Sequence, residues 1–203
     1  VTTSCDLLLV VMDSAATTPV ESGDLSLALA GAELIDLAAE DCVRLADNRV
    51  LPGSRRTGPD GLLDGAVSSM VREAPFETVD EWLWRRGRGL SWRYVDALEA
   101  DGLLIRPHRH RLLFRGEGRT PADSPVRRAA MERWESGEAV LVRLAHSLGV
   151  EGERSARPAA PVGDTVHVVV AAVDRALAEL ADERDKREHR LEDAAADNRQ
   201  RGY

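Results

Sequence analysis

Apolar positions along the chain fall into blocks separated by short polar, glycine or proline breaks. Leu7, Leu8, Leu9, Val10, Val11 and Met12 form a short buried element, helix or strand. After a loop from Ser14 to Gly23, Asp24 is placed to cap a helix carrying Leu25, Leu27, Leu29, Leu34, Ile35 and Leu37 with interspersed alanines. That helix has almost no polar face, so it belongs at the centre of a helical protein. Val43 to Leu51, interrupted by Asp47-Asn48, predicts a peripheral β-hairpin.

Helices are expected over Leu62 to Arg72 and Thr78 to Arg86, and then from a Ser91 cap to about Asp101, with Gly102 as the stop. Leu103 to Ile105 and Leu112 to Phe114 read as the strands of a second hairpin with a cationic tip. Ser124 to Glu135 and Glu138 to Leu148 are two further helices, and Glu151 to Pro161, without periodicity, is a connection. Asp164 then opens a helix whose Val166, Val169, Val170, Val173, Leu177 and Leu180 return to the core. The sum is a mostly α fold: a single helical domain over residues 1–180 with a central apolar helix and two short peripheral β-hairpins. A nearly all-charged helical extension or tail follows over 181–203.

Charge changes this picture at one place. The 203 residues carry a formal net charge of −8, yet residues 85–119 hold nine arginines and only four acids. A basic patch dominates locally over distances shorter than a Debye length of about 10 Å, so an anionic partner is expected there. No run is long enough to span a membrane, and Leu7–Met12 lacks the basic flank of a secretory leader. Cys5 and Cys42 have no CxxC spacing and read as reduced, structural thiols of a cytoplasmic protein.

Catalytic chemistry finds little support. There is no GxSxG, HExxH, GxxxxGK[ST] or GxGxxG motif. His108 and His110 share a strand face and Cys42 is a conceivable third ligand, but no carboxylate or thiol lies at close spacing, so no metal is expected. His146, among Leu141, Leu144 and Leu148, reads as a hydrogen-bonded structural histidine, and Asp36, Glu40 and Asp41 as an ordinary solvated helix end. The expectation is a non-enzyme without cofactor.

The basic segment admits two readings. Thr78 to Arg86, Ser91 to Asp101 and the hairpin follow the order of a winged helix, in which Arg93, Asp96, Arg109 and Arg111 would touch DNA. Asp96, Glu99 and Asp101 on the recognition helix, and the acidic chain, weigh against that alternative.

The other reading is a resemblance. The strings LLLVVMD (Leu7–Asp13), LALAGAELIDLA (Leu27–Ala38), GLLDGAV (Gly61–Val67), TVDEWL (Thr78–Leu83), LEADGLL (Leu98–Leu104), RLLF (Arg111–Phe114), LAH (Leu144–His146) and VVVAAV (Val168–Val173) occur in the order found in the Golgi phosphoprotein 3 family. The chain resembles its shorter bacterial members in particular. This resemblance implies a mostly helical domain that binds phosphatidylinositol 4-phosphate at a membrane surface. The family's eukaryotic members build the headgroup pocket from a tryptophan, an arginine on the early apolar helix and two arginines before the hairpin. By position, Arg93 matches one paired arginine, while Ser91, Ala30 and Glu21 or a near neighbour stand at the other three sites. Arg88, Arg106 and Trp92 offer a different pocket nearby.

The resulting expectation is a peripheral membrane or adaptor protein, cytoplasmic and stationed at the inner face of the cell membrane. Arg93, Arg88 and Arg106 would bind an anionic phospholipid headgroup. The hairpin residues Arg109, Arg111, Leu112, Leu113 and Phe114 would enter the membrane, form a homo-oligomer contact or pack in the core. Each arginine near an anionic leaflet contributes about 1 kcal/mol, so charge alone gives a dissociation constant on the order of 10⁻⁴ M or weaker. Stable attachment needs a pocket or apolar insertion besides.

Overall fold

The computed structural model describes residues 2–14, 19–54, 61–105, 119–151 and 162–201. The early leucine run is a helix, α1 (Thr3–Asp13), capped by the Thr2 hydroxyl, which accepts from the Cys5 amide. The central helix α2 (Ser22–Ala39) starts two residues before the expected Asp24 cap, and most of its residues are buried on all sides. An all-round apolar helix requires neighbours on every side. Here α1, α4 (Val79–Arg86), α5 (Leu90–Ala100) and α8 (Asp164–Arg201) supply them.

The first hairpin pairs β1 (Val43–Ala46) with β2 (Arg49–Pro52), Ala46 opposite Arg49. Asp47 and Asn48 both adopt positive φ, 50° and 60°, as a two-residue type I′ turn demands. α3 (Gly61–Ser68) is shorter than expected and lies beside α2. α4 has a complete capping box: Thr78 accepts from the Glu81 amide while the Glu81 carboxylate accepts from the Thr78 amide.

The N-cap of α5 is Gly89, at φ 64°, and not Ser91, which sits inside the helix and is buried. β3 (Leu104–Ile105) pairs with β4 (Thr120–Pro121), so this ladder closes farther along the chain than Leu112 to Phe114. Arg106, His108, Arg109, His110, Arg111, Leu112, Leu113 and Phe114 lie outside the described residues.

α6 (Pro125–Ser136) and α7 (Ala139–Ser147) start at side-chain caps from Ser124 and Glu138 and flank α1. α8 runs 38 residues without a break, through Ala181 and into the charged extension; from Asp185 to Ala195 every residue is exposed. Among the described residues no helix is long and apolar enough to cross a membrane.

Candidate functional site

Beneath the surface, α2 carries two carboxylates at i, i+3 that its apolar context does not advertise. Glu33 is completely buried and accepts a bidentate pair from Arg86 of α4, Nε to Oε2 at 2.7 Å and Nη2 to Oε1 at 2.8 Å. The Tyr94 hydroxyl of α5 donates to Oε1 at 3.1 Å, and Arg86 Nη2 also reaches the Leu62 carbonyl. Burial pushes the Glu33 carboxyl up, with the Arg86 hydrogen bonds pulling it down, and burial likewise raises Tyr94. Asp36 is no solvated helix end: its carboxylate accepts from the Thr3 and Ser4 amides and caps α1 from across the helix interface. These contacts fix α1, α4 and α5 on α2.

The fixed end of α4 presents the turn Gly87-Arg88-Gly89 to the start of α2. Gly87 lies so close to α2 that a Cβ there would meet the Ser26 carbonyl at 3.4 Å and a Leu27 methyl at 3.3 Å. Ser26 Oγ donates to Ser91 Oγ at 2.9 Å and receives the Ser91 amide at 3.0 Å, joining the second turn of α2 to the first turn of α5. Between them opens a cleft of about 340 Å³, lined by Ser22, Gly23, Ser26, Leu27, Trp84, Gly87, Arg88, Gly89, Ser91, Trp92 and, from α8, Leu180. Neither helix start carries a side-chain cap hydrogen bond. First-turn residues of both helices line the cleft, so the positive dipole ends lie beside it, although the Ser91 amide is already taken by Ser26.

Arg88 is exposed at this cleft and forms no ion pair with a described residue. Trp84 and Trp92 flank it, 37% and 48% exposed. Arg93 is exposed on α5 and does not line the cleft. Ala30 is buried, its carbonyl accepting the Trp82 indole, and Glu21 is the exposed N-cap of α2. The arginine-rich segment is thus not one free platform: Arg86 is internal, Arg85 pairs with Glu77, and Arg119 pairs with Glu99 beside Trp92. Arg106 is outside the described residues.

Sequence reading missed Glu33, Arg86, Tyr94, Ser22, Ser26 and Trp84. One signal existed, Glu33 set between Ala32 and Leu34 in an apolar stretch, which calls for a buried cation elsewhere. His146 is exposed, edge-on to Trp134 at 6.5 Å, and not an internal hydrogen-bonded group. A second cleft, lined by Asp13, Arg127, Arg128, Met131, Glu132 and Glu135, is internally compensated by the Arg127–Asp13 pair. Among the described residues no cluster of three or more histidine, cysteine or acidic side chains is arranged to hold a metal ion.

This architecture is a helical bundle around a buried α2 with a single-sided polar and aromatic cleft at the α2–α5 junction. The sequence profile of the Golgi phosphoprotein 3 (GPP34) family matches residues 4–201, nearly the whole chain, and the chain belongs to that family. No individual curated protein matches it.

Proposed function

We propose that this chain is a non-catalytic, peripheral membrane or adaptor protein that receives the phosphate of an anionic phospholipid headgroup, phosphatidylinositol 4-phosphate first among candidates, in the α2–α5 cleft. Family membership supports a lipid-binding adaptor in general. The observation that carries the finer reading is the cleft itself: unpaired Arg88 beside the start of α2, whose N-cap makes no side-chain hydrogen bond, between two half-exposed tryptophans. A guanidinium and the first-turn amides of α2 complement phosphate oxygens, and indole rings suit the polar–apolar boundary of a bilayer. Arg93, one face away, adds long-range attraction to the leaflet.

Co-sedimentation with phosphatidylcholine vesicles, with and without phosphatidylinositol 4-phosphate or phosphatidylserine, tests this. Binding should require the anionic lipid and should fall about fivefold in Arg88→Ala, the equivalent of one arginine near a leaflet. Equal sedimentation with all three vesicle types ends the proposal.

A further inference from the structure

We propose that Arg184, from the charged part of α8, is the second phosphate-binding cation of this cleft, held at its rim by Asp24. The inference rests on the headgroup reading above and names a residue outside the four pocket positions that the resemblance implies. Leu180 lines the cleft, and Arg184 follows one helical turn later on the same face. Its Nη1 donates to both oxygens of Asp24, each at 2.9 Å. Its Nη2 lies 3.1 Å from where a Cβ on Gly23 would stand, so the guanidinium rests directly over a lining residue that only glycine leaves bare.

A guanidinium has five N–H donors in a planar fork. Asp24 engages Nη1, while Nη2 and Nε have no acceptor among the described residues, and the side chain is 39% exposed. Arg184 therefore has donors to spare at the rim, and Arg88 stands among the cleft's own lining residues. A headgroup phosphomonoester, which carries more than one negative charge near neutral pH, matches two arginines better than one. Asp24 plays two opposed parts: it orients Arg184, and its own charge repels an incoming phosphate.

That opposition makes the inference testable by sign. In the same vesicle assay with phosphatidylinositol 4-phosphate, Arg184→Gln should lower affinity about fivefold. Asp24→Asn, which keeps an acceptor for Nη1 and removes the repelling charge, should raise it. Arg187→Gln, an equal charge change on the exposed part of α8, should have a smaller effect than Arg184→Gln. Thermal melts establish that each variant is folded. Weakening by both Arg184→Gln and Asp24→Asn would mean that the ion pair serves only to tether α8, and overturns the inference. Equal losses in Arg184→Gln and Arg187→Gln reduce it to unspecific charge and overturn it as well. Loss in Arg88→Ala with Arg184→Gln unchanged sinks this inference alone, whereas no lipid-dependent binding by the unaltered chain sinks the headgroup reading and this one with it. Displacement from vesicles by inorganic phosphate as effective as by soluble inositol phosphate would reassign the cleft to the free anion and overturn the lipid source.

Discussion

Arg86 closes a planar, two-bonded ion pair on Glu33 inside the protein, where neither side chain has appreciable contact with water. Removing one partner leaves the other charge buried without compensation, which costs about 3–5 kcal/mol, whereas replacing both by apolar groups of similar volume is often close to neutral. Arg86→Met and Glu33→Leu singly should each destabilise by that amount, and the double variant by clearly less than their sum. Urea unfolding of the four proteins measures the coupling. Additive losses would show that the pair does not act as a unit.

Asp36 of α2 repels both its helix neighbour Glu33 and Asp6 of α1. Burial raises all three carboxyls, against the Thr3 and Ser4 hydrogen bonds on Asp36, the Arg86 contacts on Glu33 and the Arg133 contacts on Asp6. One oxygen of Asp6 is buried without a hydrogen-bond partner among the described residues, in keeping with that direction. A carboxyl with a higher pKa folded than unfolded binds more protons in the folded state. Its contribution is complete below the unfolded value of about 4 and is lost as pH rises through the raised folded value. Unfolding free energy should therefore decline from mildly acidic toward neutral pH. Asp36→Asn should flatten that decline, while costing about 1 kcal/mol at the α1 cap. An unchanged slope in this variant, or a stability that climbs with pH in the parent, contradicts the assignment.

The bundle was legible because its signals are local. α2 is apolar on every side, Thr78 and Glu81 stand three apart, and Asp47-Asn48 fits only a turn tolerant of positive φ; each acts within a few residues. The start of α5 was misread for the same reason. Ser91 is a good cap by type, but its hydroxyl and amide are engaged by Ser26, 65 residues away, so tertiary contact outweighs local preference. β3 closes on Thr120–Pro121 because register between distant segments is not written in either alone.

The candidate site was legible only in part. Arg88 stood out within an arginine-rich run, but the run hides which guanidinium is buried, which is paired and which is free. Arg86 and Arg88 differ by two positions and face opposite environments, because α4 ends between them and Gly87 brings the chain against α2. Arg184 looked like part of a solvated charge run. Only the packing of α8 over Gly23 brings it beside a residue that lines the cleft.

Gly31 marks a close approach of α2 to α8. A Cβ there would lie 2.5 Å from a methyl of Val173, a residue with no exposed surface. Overpacking of this kind costs about 1–3 kcal/mol, while alanine gains about 1 kcal/mol in helix propensity over glycine. Gly31→Ala should still be a net loss in thermal unfolding. Adding Val173→Ala makes room for the new methyl, so the double variant should be more stable than the two single changes predict. A Gly31→Ala protein as stable as the parent would show that the helices separate freely at this crossing.

Three tryptophans close together in sequence should separate stability from binding. Trp82 is fully buried and donates its indole N–H to the Ala30 carbonyl at 3.2 Å, so Trp82→Ala should cost about 3–5 kcal/mol. Trp84 and Trp92 are half-exposed at the cleft, and replacing them removes little from the core. Trp92 does sit under the largely covered Arg119 guanidinium, 5.9 Å from the ring centre, a contact worth about 1 kcal/mol. Trp84→Ala and Trp92→Ala should therefore shift unfolding by no more than about 1 kcal/mol. Both should nevertheless release the protein from anionic vesicles, because on the proposed function each deletes a ring that enters the headgroup layer beside Arg88. Measuring melts and co-sedimentation on the same samples decides the matter: if vesicle binding survives in both variants, the membrane does not meet the protein at this face.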